Sequence, residues 1–264
     1  MAYQSINIAG FNLKLSDNFP TDGDFVGDGN IVIADGSRGL FTKLASSKFA
    51  NVFKFDLLFQ GKVYSLILKQ YLARKWFDVL MNAIGCGRSK RAFKAGLMLR
   101  KNGFLTPPIA AAGKKGLSAD FIITAEIKNS VPLYKILESK EPQRRLVIEQ
   151  FAQTVGRMHA CGICHGDLRL GNVLVKSDDK FDFYFLDNER TKKFRKLPDR
   201  LRLKNLIQIN MLRDGLSNAD RLRFFKEYLK QQNIKLNATE LAAKIIAGTN
   251  KRLAEKGIIA YYNL

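Results

Sequence analysis

Met158-His-Ala-Cys-Gly-Ile-Cys-His-Gly-Asp-Leu-Arg-Leu-Gly-Asn-Val-Leu-Val175 is the most chemically pointed stretch of the chain, and it fits two patterns that exclude each other. The first is Cys161-Gly-Ile-Cys164-His165, a C-x-x-C-H match of the kind that attaches haem covalently. With His159 added, two cysteines and two histidines also suit zinc. Haem attachment of this type needs export, and a zinc knuckle draws its other ligands from a second knuckle, for which the chain offers only Cys86. Outside this pattern the two cysteines read as small buried residues beside a loop. The second pattern is His165-x-Asp167-x-x-x-x-Asn172, backed by the apolar run Val173-Leu-Val175. Further on, Phe183-Tyr-Phe-Leu-Asp187 sets another carboxylate at the end of a short hydrophobic strand, 20 residues past Asp167.

The second pattern is what phosphoryl transfer from ATP requires. Asp167 can orient an attacking hydroxyl and accept its proton. Asn172 and Asp187 offer the hard oxygen ligands that Mg²⁺ prefers. Arg169, two residues after Asp167, can neutralise charge on the transferring phosphoryl group. With average residue frequencies the H-x-D-x-x-x-x-N spacing arises by chance in about one chain of this length in a hundred. The alternative is a polar turn between helix and strand, with Asp167 capping and Asn172 in a left-handed conformation.

Upstream, Asn51–Phe59 and Lys62–Tyr71 have strand character and flank Gln60-Gly61, a plausible hairpin turn. The glycines between 20 and 40 read as turns between short strands. From 88 to 102 the period changes to helical, with Ala92, Ala95, Gly96 and Leu99 on one face. Gly103 ends that helix and Pro107-Pro108 prevents its resumption. Asp120–Ile127 reads as a buried strand. Downstream come a helix over 142–160, short strands at 173–175 and 182–187, and helices near 199–213, 218–231 and 238–256. A β-rich front, 1–127, and a helical back, 128–264, predict an α+β molecule of two lobes.

Charge narrows the partners. Among 264 residues, 44 Lys and Arg stand against 24 Asp and Glu, a net charge of +20. Such a surface seeks nucleic acid, anionic lipid head groups or phosphate-rich substrates. Arg190–Lys204 alone carries eight basic residues in fifteen, and Arg88, Lys90, Arg91 and Lys94 form a second cluster. No motif or aromatic interleaving points to nucleic acid. No apolar run approaches the roughly 18–20 residues of a spanning helix, and the N-terminus lacks the pattern of a secretory signal. An odd number of cysteines argues against a disulfide scaffold and fits a reducing cytosol.

His165–Val175 with Asp187 resemble the catalytic loop and metal-binding aspartate of the protein-kinase-like superfamily. From about residue 38 to 230 the chain is similar to the lipopolysaccharide core kinases, the Kdo/heptose kinase family of bacterial envelope biosynthesis. Arg88–Ala92 running to Gly103–Pro107, Phe151–His159, Asp187–Thr191 and Lys204–Gln208 carry the wider match. The resemblance implies a two-lobed protein-kinase-like fold and ATP- and Mg²⁺-dependent phosphorylation of an inner-core sugar. The acceptor is then an anionic glycolipid, met by a cytoplasmic protein in peripheral contact with the inner face of the inner membrane. It implies that Lys69 holds ATP phosphates, that Ser46 and Ser47 lie in the phosphate-covering loop between Ala45 and Lys48, and that backbone groups of Glu126 and Ile127 meet adenine. The histidine before the catalytic Asp, His165, is implied to brace the metal-binding segment, and His159 to be a core or capping residue. The pattern departs at two points: the phosphate-covering loop has no glycine, and no acidic residue between Ser89 and Gly103 can orient Lys69. A nucleotide-binding pseudokinase, and a kinase of another small molecule or protein, therefore stay open.

Overall fold

The computed structural model describes residues 3–8, 11–16, 42–46, 49–59, 62–73, 86–115, 119–139, 142–177, 180–212, 215–232, 234 and 236–258. Residues 20–40, Ser47, Lys48, Gln60 and Gly61 lie outside them. The described residues fall into two units, one within Met1–Leu97 and Pro107–Glu126, the other within Met98–Thr106 and Ile127–Leu264.

The first unit is built on strands β1 (Tyr3–Ile8), β2 (Phe11–Ser16), β3 (Thr42–Leu44), β4 (Ala50–Phe59), β5 (Lys62–Tyr71), β6 (Ile109–Lys115) and β7 (Ala119–Ala125). They form one antiparallel sheet in the order β1-β2-β6-β7-β5-β4-β3. The expected hairpin is present: β4 and β5 pair from Ala50 opposite Tyr71 to Phe59 opposite Lys62. Strand β6, Ile-Ala-Ala-Ala-Gly-Lys-Lys, gives no strand signal in its sequence, because alanine and glycine are poor strand formers. Its place between β2 and β7 makes it a strand. Helix α1 (Arg88–Lys101) packs Ala92, Phe93 and Leu97 against Tyr71, Ile109, Ala112 and Ile122. Its first turn has no acidic residue of its own. The buried Asp120 carboxylate of β7 instead accepts from the Arg88 and Ser89 backbone N–H groups at 2.7 and 3.1 Å, satisfying otherwise orphaned donors at the positive end of the helix dipole. Gly103, at φ +79°, ends α1, with Phe104 N–H returning to Leu99 O.

The second unit is mostly helical: α2 (Leu133–Glu138), α3 (Arg144–Ala160), α4 (Asp199–Asn210), α5 (Asn218–Lys230) and α6 (Ala238–Ala254). Strands β8 (Ser130–Pro132), β10 (Val173–Ser177) and β11 (Phe181–Phe185) make a sheet in the order β11-β10-β8, and the two-residue strands β9 (Ile163–Cys164) and β12 (Lys192–Lys193) pair beside it in sequence. Helix α3 buries Val147, Ile148, Phe151, Ala152, Val155, Met158 and His159, the repeat that a helix with one apolar face requires. These join Leu99, Phe104, Leu133, Val173, Phe185, Leu206 and Tyr228 in one core. Among the helices of the unit lies an apolar cavity of about 290 Å³, lined by Leu133, Leu137, Phe151, Leu206, Phe224 and Ile245 among others. No helix among the described residues is long and apolar enough to cross a membrane.

Candidate active site

The loop from His165 to Asn172 leaves β9 and enters β10. It begins with a close approach. A Cβ added to Gly166 would lie 2.1 Å from Cβ of Arg190, so only glycine fits there without displacing backbone. His165 is fully buried. Its Nδ1 accepts from the Asp167 backbone N–H at 3.2 Å, which puts the ring proton on Nε2. Nε2 then donates to Leu186 O at 2.9 Å and to Asn188 Oδ1 at 3.0 Å. Burial holds the imidazole pKa below its ordinary value, so the ring stays neutral. The bracing role implied for His165 is therefore present: it ties the loop to the residue before Asp187.

Hydrogen bonds join the segments that carry Asp167, Asn172 and Asp187. Asn172 Nδ2 donates to Asp167 O at 2.9 Å, and Leu186 N–H donates to Asn172 O at 2.9 Å. Asn172 closes a 3₁₀ turn over Leu170–Asn172. The left-handed conformation falls on Asp187 (φ 56°, ψ 47°), and not on Asn172 as the polar-turn alternative required. A non-glycine residue in that region is uncommon and strained. The Asn172 amide nitrogen is committed to Asp167 O, which leaves its Oδ1 as the side-chain acceptor; that oxygen and the Asp187 carboxylate are of the hard type that Mg²⁺ takes. Arg169 does not stand apart: its Nε lies 3.0 Å from Asp167 Oδ1 and its Nη2 2.7 Å from Oδ2, a fork on the carboxylate.

Helix α4 supplies two residues that sequence reasoning did not single out individually. Asn205 Oδ1 accepts from His165 N–H at 3.1 Å and its Nδ2 donates to His165 O at 2.6 Å. Gln208 Nε2 donates to Asp167 Oδ1 at 2.9 Å. Their signal was two amides three apart on the buried face of a helix that also carries Leu206 and Ile209. His159 joins the same network. Its Nε2 donates to Asn205 Oδ1 at 3.2 Å, and its Nδ1 accepts from Tyr228 O–H at 2.9 Å. Burial, aided by the nearby Arg202 guanidinium, pushes the His159 pKa down to about 3, so it is a neutral core histidine.

The C-x-x-C-H alternative finds no common site. Both ring nitrogens of His165 are engaged by protein partners, and Cys161, expected buried, is exposed at the end of α3 where the helix meets solvent. Cys164 is buried, and burial pushes its thiol pKa up. In the first unit, Lys69 lies on β5 opposite Val52 and Ile122, with Nζ 5.3 Å from the Tyr71 ring centroid. Ser46 is exposed where the chain passes from β3 to β4, while Ser47 lies outside the described residues. Glu126 pairs with Lys54 at 2.7 Å, and its backbone N–H donates to Ser65 O at 2.9 Å, so that N–H is already committed. In the second unit, Ile127 O accepts from Ser130 Oγ at 2.6 Å. Of the basic clusters, Arg190, Lys192, Lys193, Arg195, Lys196 and Arg200 are exposed, as are Lys90, Arg91 and Lys94. Arg88 and Arg202 are not surface charges: Arg88 is buried over the Tyr71 ring and Arg202 donates to Tyr228 Oη.

Comparison with known proteins bears on this geometry. Residues 52–228 match the model of the lipopolysaccharide kinase (Kdo/WaaP) family. The chain is 28% identical over 209 residues to the lipopolysaccharide core heptose(I) kinase WaaP of Pseudomonas aeruginosa, covering 65% of this chain and 78% of that protein. It is 34% identical over 137 residues to the 3-deoxy-D-manno-octulosonic acid kinase of Vibrio parahaemolyticus, covering 50% of this chain and 52% of that one. A solved structure of WaaP in complex with acyl carrier protein superposes with a TM-score of 0.60 at 22% identity, covering 84% of this chain and 89% of the other.

Proposed function

From the premise that the chain belongs to the lipopolysaccharide kinase (Kdo/WaaP) family, we propose that it moves the γ-phosphoryl group of Mg·ATP to a hydroxyl of heptose or Kdo in the lipopolysaccharide inner core. The protein is a kinase, a phosphotransferase with a sugar hydroxyl as acceptor. The observation that supports the proposal is the hydrogen-bonded chain linking Asp167, Asn172, Leu186 and His165, which ties the loop to the strand end that precedes Asp187. Asp167 orients the acceptor hydroxyl and takes its proton. Asn172 and Asp187 hold Mg²⁺. Arg169 is paired to Asp167, but its side chain is 60% exposed, so it can turn to a phosphoryl oxygen. Lys69 and the backbone at Ser46 hold phosphate. Adenine is met by backbone at Glu126 and Ile127, through the Glu126 carbonyl, since its N–H is spent on Ser65. Bound Mg·ATP supplies the phosphoryl group and the charge neutralisation that its transfer needs.

The exposed basic run from Arg190 to Arg200 suits a phosphate-bearing glycolipid and the acidic surface of a bilayer, consistent with a peripheral enzyme at the cytoplasmic face of the inner membrane. The apolar cavity of the second unit suits an alkyl chain, and with a WaaP structure known in complex with acyl carrier protein we extend the proposal to an acylated carrier as partner. The test is mass spectrometry of lipid-linked core from cells with and without the gene. A phosphate-sized mass difference is expected. Identical masses, with Mg·ATP still bound by the purified protein, would instead support the pseudokinase reading.

A further inference from the structure

Helix α4 places two amides, Asn205 and Gln208, on its buried face, at 0% and 7% exposure. A glutamine side chain has an oxygen that only accepts and a nitrogen that only donates. Gln208 Oε1 lies 3.1 Å from Leu168 N and 3.0 Å from Asn205 Nδ2, and both are donors. The amide oxygen must therefore face them, and its NH₂ must face Asp167 Oδ1, 2.9 Å away. Asn205 cannot flip either, because it accepts from His165 N–H and donates to His165 O. The backbone of the loop thus fixes the orientation of both amides, and the helix returns that orientation to the carboxylate. The other groups around Asp167 differ in kind. Arg169 is charged and exposed, Lys204 Nζ donates to Gly166 O at 2.9 Å rather than to the carboxylate, and the neutral His165 ring accepts from the Asp167 backbone N–H.

We infer that Gln208 is the positioning residue of the catalytic base: it holds Oδ1 of Asp167 so that Oδ2, the oxygen carrying the short Arg169 contact, is the one presented to the acceptor hydroxyl once Arg169 turns away. This rests on the kinase reading of Asp167. A neutral donor suits the task, because a buried cation at 208 would orient the carboxylate but stabilise its charge and weaken it as a base. A merely structural Gln208 would serve only to satisfy the Leu168 N–H.

Gln208→Glu separates the two roles. It keeps an acceptor for Leu168 and Asn205, replaces the donor facing Asp167 by an acceptor, and adds a like charge beside that carboxylate. Its kcat for phosphate transfer from Mg·ATP to dephosphorylated lipopolysaccharide core should fall about 10–100-fold, with KM for Mg·ATP within about twofold. Combined with Asp167→Asn, it re-forms the contact with the roles exchanged. The double variant should then regain the melting temperature that Gln208→Glu alone loses, and turn over no more slowly than Asp167→Asn alone. Wild-type kcat for Gln208→Glu, or simple additivity of the two substitutions in both turnover and melting, overturns the inference and leaves the kinase reading standing. No phosphate transfer by the wild-type protein overturns both.

Discussion

His159 makes stability depend on pH in a way that one substitution isolates. It is fully buried between Tyr228 and Asn205, and its pKa is pushed down to about 3 from an ordinary 6.5. The unfolded chain takes up a proton on this ring as pH falls below 6.5, whereas the folded protein does not until about 3. The neutral ring's contribution is thus fully present above pH 6.5 and is lost progressively as pH falls toward 3. At about 1.4 kcal/mol per pH unit, acidification from pH 7 to pH 5 removes about 2 kcal/mol. The ring stays neutral in the folded protein across this range. His165, also buried with a lowered pKa, adds loss of the same sign, so the comparison must be between proteins that share it. The assay is urea unfolding followed by far-ultraviolet circular dichroism at pH 7 and pH 5, for wild type and His159→Gln. The variant cannot titrate at this position and can keep one of the two hydrogen bonds. It should be less stable at pH 7, and its loss on going to pH 5 should be smaller than that of wild type by about 2 kcal/mol. Equal pH dependence in the two proteins would refute the reasoning.

Asn205→Ala should leave the buried N–H of His165 without its partner and its C=O with only the weak Cys164 Sγ–H donor at 3.5 Å, at about 1–3 kcal/mol each. Differential scanning calorimetry should show a fall in melting temperature of roughly 5–15 °C; a change within about 2 °C would mean that Asn205 does not anchor the loop. If the apolar cavity takes an alkyl chain, an acylated carrier protein at 100 times its Kd should add about 2.7 kcal/mol of stability. A carrier without the acyl group should add much less, and equal shifts from both would remove the cavity from the account.

The site was legible in the sequence where its chemistry is local. His165, Asp167 and Asn172 lie within eight residues, and Asp187 follows a strand marked by its aromatic alternation, so spacing alone assembled them. The β4–β5 hairpin and the helices from α3 onward were legible because their apolar period is strong. Strand β6 was not, because its alanines are made into a strand by β2 and β7 rather than by their own preference. Strands β9 and β12 are two residues each, too short for any period, and exist through Lys192 meeting Cys164. Asn205 and Gln208 were visible only as part of a resemblance, since their role depends on a contact spanning about forty residues of sequence. The burial of Arg88 and Arg202 was hidden for the opposite reason: composition counts charge without showing that Tyr71 and Tyr228 cover it.

The central claim is that Asp167 is the base and Asp187 a metal ligand of a sugar kinase. The most direct test is phosphate transfer from Mg·ATP to dephosphorylated lipopolysaccharide core by purified wild type, Asp167→Asn and Asp187→Asn, with Mg·ATP affinity measured on each. Asp167→Asn should lose about 10²–10⁴-fold in kcat while binding Mg·ATP within a few-fold of wild type. Asp187→Asn should lose both turnover and Mg²⁺-dependent ATP binding. Wild-type turnover by Asp167→Asn would contradict the account at its centre.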